Sequence, residues 1–318
     1  MLRYILRRLA GLIAVLLIMS FVIYSLIGLM PGDPIDLMLA ADPEVTSEDV
    51  ARLKAVYGLD RPLLQRYWVW LGNAAQGDFG YSRLYGQPAL EVLGPRLINT
   101  LWLMGLSFLL ALLIAIPAGV AAAMYQQSWL DHAINLLAFA AFSVPAFWLG
   151  LLLILLFAVG LDLLPAGGVE PVGGGTILER TRYLVLPVLT LTLVTAGTFV
   201  RFTRSAVIEC LREHYIRTAR AKGLSQWQTV WRHALRNAMI PVVTIAALHF
   251  GSLFSGALVV ETIFAYLGMG KLIFDSIMGN DYNLALVALM LATAVTLLAN
   301  LGADLVYVWL DPRISYRD

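Results

Sequence analysis

Few side chains in this sequence have the types and spacing that chemistry requires. The single cysteine, Cys210, excludes an intrachain disulfide and a cysteine-based metal site. The four histidines show no metal-ligand spacing, and we expect each to be structural or solvated; they are His132, His214, His233 and His249. Neither H-E-x-x-H nor G-x-S-x-G occurs. The residue types therefore do not favour an intramembrane enzyme.

A nucleotide-binding loop is also not predicted. Such a loop needs the pattern G-x-x-x-x-G-K-[ST], whose backbone amides cradle the phosphates. The nearest match is Gly270-Lys271, where Ala265 replaces the first glycine and Leu272 replaces Ser/Thr. We expect no nucleotide site on this chain.

The most informative stretch runs from Arg201 to Pro241 and holds eight of the 22 basic residues. Helical character is predicted from the apolar stretch before it to about Lys222, where Gly223 is suited to end a helix. Ser225 followed by Gln228 predicts a capping box that opens a new helix. The stretch is therefore predicted to be a helix, a sharp turn and a second helix.

The turn could serve as a lever. Small residues would let another protein approach the backbone, and basic residues would suit an acidic groove on that protein. The residues of the turn are Arg217, Thr218, Ala219, Arg220, Ala221, Lys222 and Gly223. One alternative is a basic loop held by anionic lipid. A DNA-binding helix-turn-helix is disfavoured because no third supporting helix follows.

Composition and hydropathy predict an all-α polytopic membrane protein. Of its 318 residues, 60% are apolar and 14% are charged, whereas soluble domains carry about 25% charged residues. Because a spanning helix needs about 20 mostly apolar residues, six spans are predicted. They are 9–30, 97–124, 133–160, 184–200 (continuing as a basic helix), 238–260 and 284–310.

Charge bias predicts that both termini are cytoplasmic. With that orientation, the inner segments carry 13 Lys and Arg residues and the longer outer segments carry nine. The first apolar run is too long for a signal peptide and lacks an A-x-A site, so we expect a retained helix. We divide the chain into 1–30, with the first span, an extracytoplasmic helical segment at 31–96, and a five-helix core at 97–318 that includes the cytoplasmic loop 201–237.

The outer segment is predicted to hold two helices. Thr46 to Tyr57 forms an amphipathic pattern, with Gly58 placed to end the helix. A second helix is predicted from Arg61-Pro62 onward, and its aromatic residues suit the membrane interface.

Two ionisable residues in the spans leave an ion-coupled secondary transporter open as an alternative. Asp304 and His249 are the candidates, but they are isolated in sequence, and a relay needs paired groups. Asp304 is either functional or a structural residue near the cytoplasmic end of its helix. Four prolines are predicted to kink spans: Pro117, Pro145, Pro187 and Pro241.

Several motifs together resemble one transporter family. YIRTARAKG at 215–223 and HALRNAMIP at 233–241 resemble the coupling loop of the dipeptide/oligopeptide/nickel group of ABC-importer permeases. Further matches are RR at 7–8, PGDP at 31–34, YGLDRP at 57–62, GDFG at 77–80, ETIF at 261–264, GMG at 268–270 and DPR at 311–313. The resemblance covers essentially the whole chain.

The sequence departs from the family pattern in three places. The general permease signature reads E-A-A, three residues, then Gly, but Arg217-Thr218-Ala219 occupies the first three positions. Any role that rests on the acidic residue is therefore not transferred. The proline expected soon after the glycine falls later, at Pro241, and Leu267 stands where the group often has proline.

The resemblance implies a pathway-forming subunit of an ATP-driven importer in the bacterial inner membrane. Its partners would be a second, similar permease, two cytoplasmic ATPases that bind ATP and Mg, an external binding protein and membrane lipid. Nucleic acid is not expected among them. The turn 217–223 would couple to the ATPases, and the chain itself would need no cofactor. Di- and oligopeptides are the expected cargo, with glutathione, nickel chelates or short oligosaccharides as alternatives.

Overall fold

The computed structural model describes residues 2–29, 61–171 and 173–310. These residues form helices and connecting loops, and five helices are long and apolar enough to cross a membrane, or six if one bent pair counts as a single span. The prediction of an all-α, multi-span protein is confirmed. The amphipathic helix predicted at 46–57 lies outside the described residues.

The helices are numbered in chain order. Their bounds are α1 Leu2–Gly28, α2 Leu63–Ala75, α3 Ala89–Met124, α4 Trp129–Ser143, α5 Ala146–Leu153, α6 Ile177–Leu211, α7 His214–Ala221, α8 Gln226–Thr229, α9 Leu235–Ile263, α10 Met269–Met278 and α11 Tyr282–Leu310. Short π-helical stretches follow α5 (Ile154–Gly160) and α8 (Val230–Ala234). The second predicted outer helix is confirmed as α2.

The kink predicted at Pro145 is confirmed, and it is large enough to divide the third predicted span into two helices. Helices α4 and α5, with the π-helical extension of α5, meet at a bend of 102°. The cause is local: a residue before proline is pushed away from helical backbone, and Val144 before Pro145 is extended (φ −84°, ψ 125°). Pro187 and Pro241, by contrast, lie inside α6 and α9.

The chain divides into two compact units. The first comprises residues 1–98 with 271–295, and the second comprises 99–270 with 296–318. In the first unit, Tyr67 of α2 is buried against α1, where its hydroxyl and that of Ser20 are 2.8 Å apart. In the same unit, the buried Asp281 holds the loop after α2. It accepts hydrogen bonds from the Ser82 hydroxyl (2.5 Å) and the Leu84 amide (3.0 Å).

The second unit packs α3, α4, α6 and α9 at short backbone distances. Glycines allow this approach: a Cβ on Gly197 of α6 would lie 2.5 Å from the Ala138 carbonyl oxygen of α4. One on Gly119 of α3 would lie 2.7 Å from the Thr203 Cβ of α6. Small residues at interfaces are typical of helices packed in membranes. Two apolar clusters fill this unit, one around Phe199 and the other around Val207 and Val230.

Candidate functional site

The turn segment, defined as residues 212–234, joins α6 to α9. The predicted continuous helix from the fourth span to Lys222 is wrong, because α6 ends at Leu211 and α7 begins only at His214. Glu213 between them has extended backbone (φ −69°, ψ 151°), so the chain changes direction there. Helix α7 is therefore a separate element set apart from the span.

One side of α7 is anchored. Ile216 and Ala219, three positions apart and so on one face, are 0% and 5% exposed. The Tyr215 side chain forms hydrogen bonds with those of Asn237 and Cys210, and burial raises the pKa of its hydroxyl above the ordinary value of 10. These contacts fix α7 against the bundle.

The other side of α7 is exposed and cationic. Arg217, Arg220 and Lys222 are exposed, and none of them forms an ion pair with the residues that the structure describes. Among the predicted turn residues, Thr218, Ala221 and Gly223 are exposed as well. Ala219 is the exception, because its burial against the bundle keeps it away from any partner surface. The exposed side of α7 is therefore a positively charged surface.

Gly223 ends α7 in the left-handed backbone region, with φ +84°. Its amide donates to the Arg220 carbonyl (3.0 Å), and the Leu224 amide donates to the Ala219 carbonyl (3.4 Å). Glycine adopts this conformation without steric cost. A Cβ here would meet nothing within 4 Å, so the space beside Gly223 is open.

The predicted capping box is confirmed at the start of α8. The Ser225 hydroxyl accepts the Gln228 amide (3.3 Å), and Gln228 Oε1 accepts the Ser225 amide (3.1 Å). The π-helical stretch that follows was not predicted, because no local sequence signal marks it. Val230, in this stretch, is buried in the apolar cluster that includes Val207. The second part of the turn segment, residues 225–234, is therefore anchored too and is called the return arm.

A second polar cluster lies at the opposite end of α9, around the fully buried Glu261. The Thr100 hydroxyl donates to its Oε1 and the Gly270 amide to its Oε2, each at 2.6 Å. The Met269 amide donates to Thr100 Oγ1 at 2.8 Å. A Cβ on Gly268 would lie 2.2 Å from the Glu261 carboxyl, so the loop wraps tightly around this side chain. The E-T-I-F and G-M-G motifs are recognisable in the sequence, but no local pattern predicts that they contact each other.

The two candidates for an ion relay, His249 and Asp304, lie on α9 and α11. His249 lies half-buried on α9, with its ring edge-on to Phe199 at 5.6 Å between centroids. The side chain of Asp304 lies outside what the structure describes. Within the described ranges, no group of three or more His, Cys, Asp or Glu residues could hold a metal ion.

Comparisons with known proteins agree over the length of the chain. A family model described as "Binding-protein-dependent transport system inner membrane component" matches residues 115–316, and a companion N-terminal model matches residues 1–90. The chain is 38% identical over 317 residues to the glutathione transport system permease protein GsiC of Escherichia coli (strain K12), covering 100% of both. It is 39% identical over 317 residues to GsiC of Salmonella typhi, again with full coverage.

Solved structures show the same fold. The inward-facing MetNI methionine ABC transporter matches with a TM-score of 0.58 at 18% identity, over 69% of this chain and 96% of that one. An amino acid ABC transporter with histidines matches with a TM-score of 0.52 at 12% identity, over 69% and 94%. The family matches and the multi-span helical fold together show that the chain belongs to the binding-protein-dependent transport inner membrane components, the permease subunits of ABC importers.

Proposed function

We propose that the chain encloses an import pathway together with a second, similar permease, and that partner ATPases grip its exposed turn at 217–223. The observation that carries the proposal is the contrast between the two sides of α7. Ile216 and Ala219 hold one side against the bundle, while three cations and the uncovered Gly223 face outward. A firmly anchored and exposed turn can receive a force and pass it on.

In this proposal the turn segment and both termini lie in the cytoplasm. The excess of Lys and Arg on that side supports the orientation. ATP and Mg bind to two cytoplasmic ATPase subunits, and an external binding protein delivers the cargo. ATP hydrolysis then belongs to the partners and transport to the permease pair.

The mechanism is alternating access driven from outside the chain. Closure of the ATPases pushes the turn, and the bundle switches between inward- and outward-facing states because the two states bind the closed ATPases differently. The short backbone distances between α3, α4 and α6 favour movement of these helices as blocks rather than by local bending.

Short peptides are the proposed cargo. Glutathione is itself a tripeptide, and the GsiC relatives carry glutathione in their names. The first test therefore uses glutathione, with dipeptides, nickel chelates and short oligosaccharides as comparison cargoes.

The function is tested by reconstituting the chain with its partner permease, ATPases and binding protein in proteoliposomes. We expect labelled glutathione or peptide to accumulate with ATP and not with a proton gradient alone. Uptake driven by the gradient without ATP would overturn the proposal in favour of a secondary transporter. The purified chain alone should hydrolyse no ATP.

The role of the turn is tested by Gly223→Trp. We expect roughly tenfold weaker ATPase association, equal to about 1.4 kcal/mol, because bulk at the contact acts like loss of an interface hot spot. Gly223→Ala carries the backbone strain of a Cβ without the bulk, so it separates the two effects.

The matched control is Gly77→Trp. Gly77 also follows a helix end, has φ +88°, donates its amide to a carbonyl three residues back (3.0 Å, Ala74), and has open space beside it. Normal ATPase association in Gly223→Trp, or an equal loss in Gly77→Trp, would contradict the assignment.

A further inference from the structure

The turn between α3 and α4 is joined to α6 by an ion pair whose carboxylate is buried and whose guanidinium is partly exposed. Asp131, at the start of α4, is 2% exposed. Its Oδ1 accepts Arg204 Nε at 2.6 Å and its Oδ2 accepts Arg204 Nη2 at 2.8 Å. This two-pronged geometry is the strongest and most directional form of the arginine–carboxylate pair.

The same carboxylate also shapes its own turn. Asp131 Oδ2 accepts the Gln127 amide (2.9 Å), and Oδ1 accepts Asn135 Nδ2 (2.6 Å). Gln127 has left-handed backbone, φ +65°, which a non-glycine residue adopts only where its surroundings hold it. With four hydrogen bonds on two oxygens, the carboxylate is saturated and the turn is fixed to the Arg204 side chain.

The return arm of the turn segment reaches the same place. Gln226, the first residue of α8, donates through Nε2 to the Met124 carbonyl at the end of α3 (3.3 Å). The turn segment therefore contacts the end of α3 directly, and α6 contacts the α3–α4 turn through Arg204, before the turn segment begins. An apolar cluster that includes Val120, Ala123 and Val230 lies between α3, α6 and this return arm.

Close to the ion pair, the backbones of α3 and α6 are in near contact at Gly119. A Cβ on Gly119 would lie 2.8 Å from the Val200 carbonyl oxygen and 3.0 Å from the Arg204 nitrogen. The end of α3, the turn, the start of α4 and the end of α6 thus have little freedom to shift separately. Helix α4 leads from here to the bend at Val144-Pro145.

We propose that the Asp131–Arg204 pair is a positioning clasp that makes α4 and the last part of α6, from which the turn segment continues, move as one body, so that a push on 217–223 reaches the bend of the third span. Separating α4 from α6 would leave the Asp131 carboxylate buried without its partner, which costs far more than the pair contributes. The clasp therefore resists relative movement of α4 and the last part of α6. This inference rests on the proposed coupling role of that segment.

The test measures cargo uptake per ATP hydrolysed in the full importer complex reconstituted in proteoliposomes. The variants are Asp131→Asn, Arg204→Gln and the double substitution, with complex yield and Tm recorded for each. We expect each single variant to lower uptake per ATP by about threefold or more, and the double variant to be no worse than either single one. Arg204→Lys keeps the charge but loses the two-pronged contact, so its value should lie between Arg204→Gln and wild type.

The matched control is Arg180→Gln, which removes the arginine of an exposed ion pair with Glu170 (2.7 Å) near the start of α6 and should leave the ratio unchanged. An unchanged ratio in assembled clasp variants would overturn the inference, as would a fall that only follows lower yield and Tm across the series, Arg204→Lys included. Failure of the inference is distinguishable from failure of the proposed function: in the first case wild type still shows ATP-driven uptake, and in the second it does not.

Discussion

The buried carboxylate of Glu261 gives a prediction whose size follows from its contacts. Glu261→Leu keeps a side chain of similar volume but removes both acceptors, so the Thr100 hydroxyl and the Gly270 amide lose their partner. Each buried polar group left unsatisfied costs about 1–3 kcal/mol, so about 2–6 kcal/mol in all. At about 2–4 °C for each kcal/mol in larger domains, Tm should fall by roughly 4–24 °C.

Glu261→Gln is the matched control. The Thr100 hydroxyl can reverse and accept the glutamine amide while still accepting the Met269 amide, since a hydroxyl oxygen accepts two hydrogen bonds. Glutamine Oε1 then accepts the Gly270 amide, so only the Thr100 hydroxyl proton is left without its acceptor, at a cost of about 1–3 kcal/mol. The Gln variant should therefore melt below wild type and clearly above the Leu variant.

The assay is thermal unfolding of the chain in lipid nanodiscs, followed by circular dichroism or tryptophan fluorescence. A Leu variant that melts with wild type would refute the reasoning, because the carboxylate would then contribute nothing to holding the loop that includes Gly268. A Gln variant as unstable as the Leu variant would also refute it, since it would show that the charge matters rather than the acceptors.

Two further predictions concern close packing and the outer loop. Gly197→Ala places a Cβ 2.5 Å from the Ala138 carbonyl oxygen, so the free energy of unfolding should fall by about 1–3 kcal/mol and Tm in nanodiscs should fall with it. Gly105→Ala, where a Cβ meets nothing within 4 Å, should be neutral or slightly stabilising. Equal Tm values for the two variants would contradict this prediction. Asp281→Ala removes the acceptor for the Ser82 hydroxyl and the Leu84 amide, so hydrogen exchange of the loop at 82–86 should accelerate. The control is Asp78→Ala: among the described contacts Asp78 accepts only the Gly80 amide (2.9 Å), so its loss should leave the exchange of this loop unchanged.

Local patterns determined much of this protein. The spans follow from apolar runs because a spanning helix satisfies its own backbone hydrogen bonds and needs only length and hydrophobicity. The capping box at Ser225 and the helix end at Gly223 follow from short-range hydrogen bonds and backbone conformation, which a few neighbouring residues set. The three cations of the turn, Arg217, Arg220 and Lys222, are exposed, as their place in a polar turn indicated.

Other features were decided by contacts between distant parts of the chain. Glu261 meets Thr100 across 161 positions and Asp131 meets Arg204 across 73, and no local pattern encodes either pair. The burial of Ala219 depends on which face of α7 meets the bundle, although the residue reads as an open site in the turn. The proline at 145 signalled a kink, but the 102° bend depends on how α4 and α5 each pack. Helix positions follow from short-range interactions, whereas partners for buried polar groups exist only once the helices assemble.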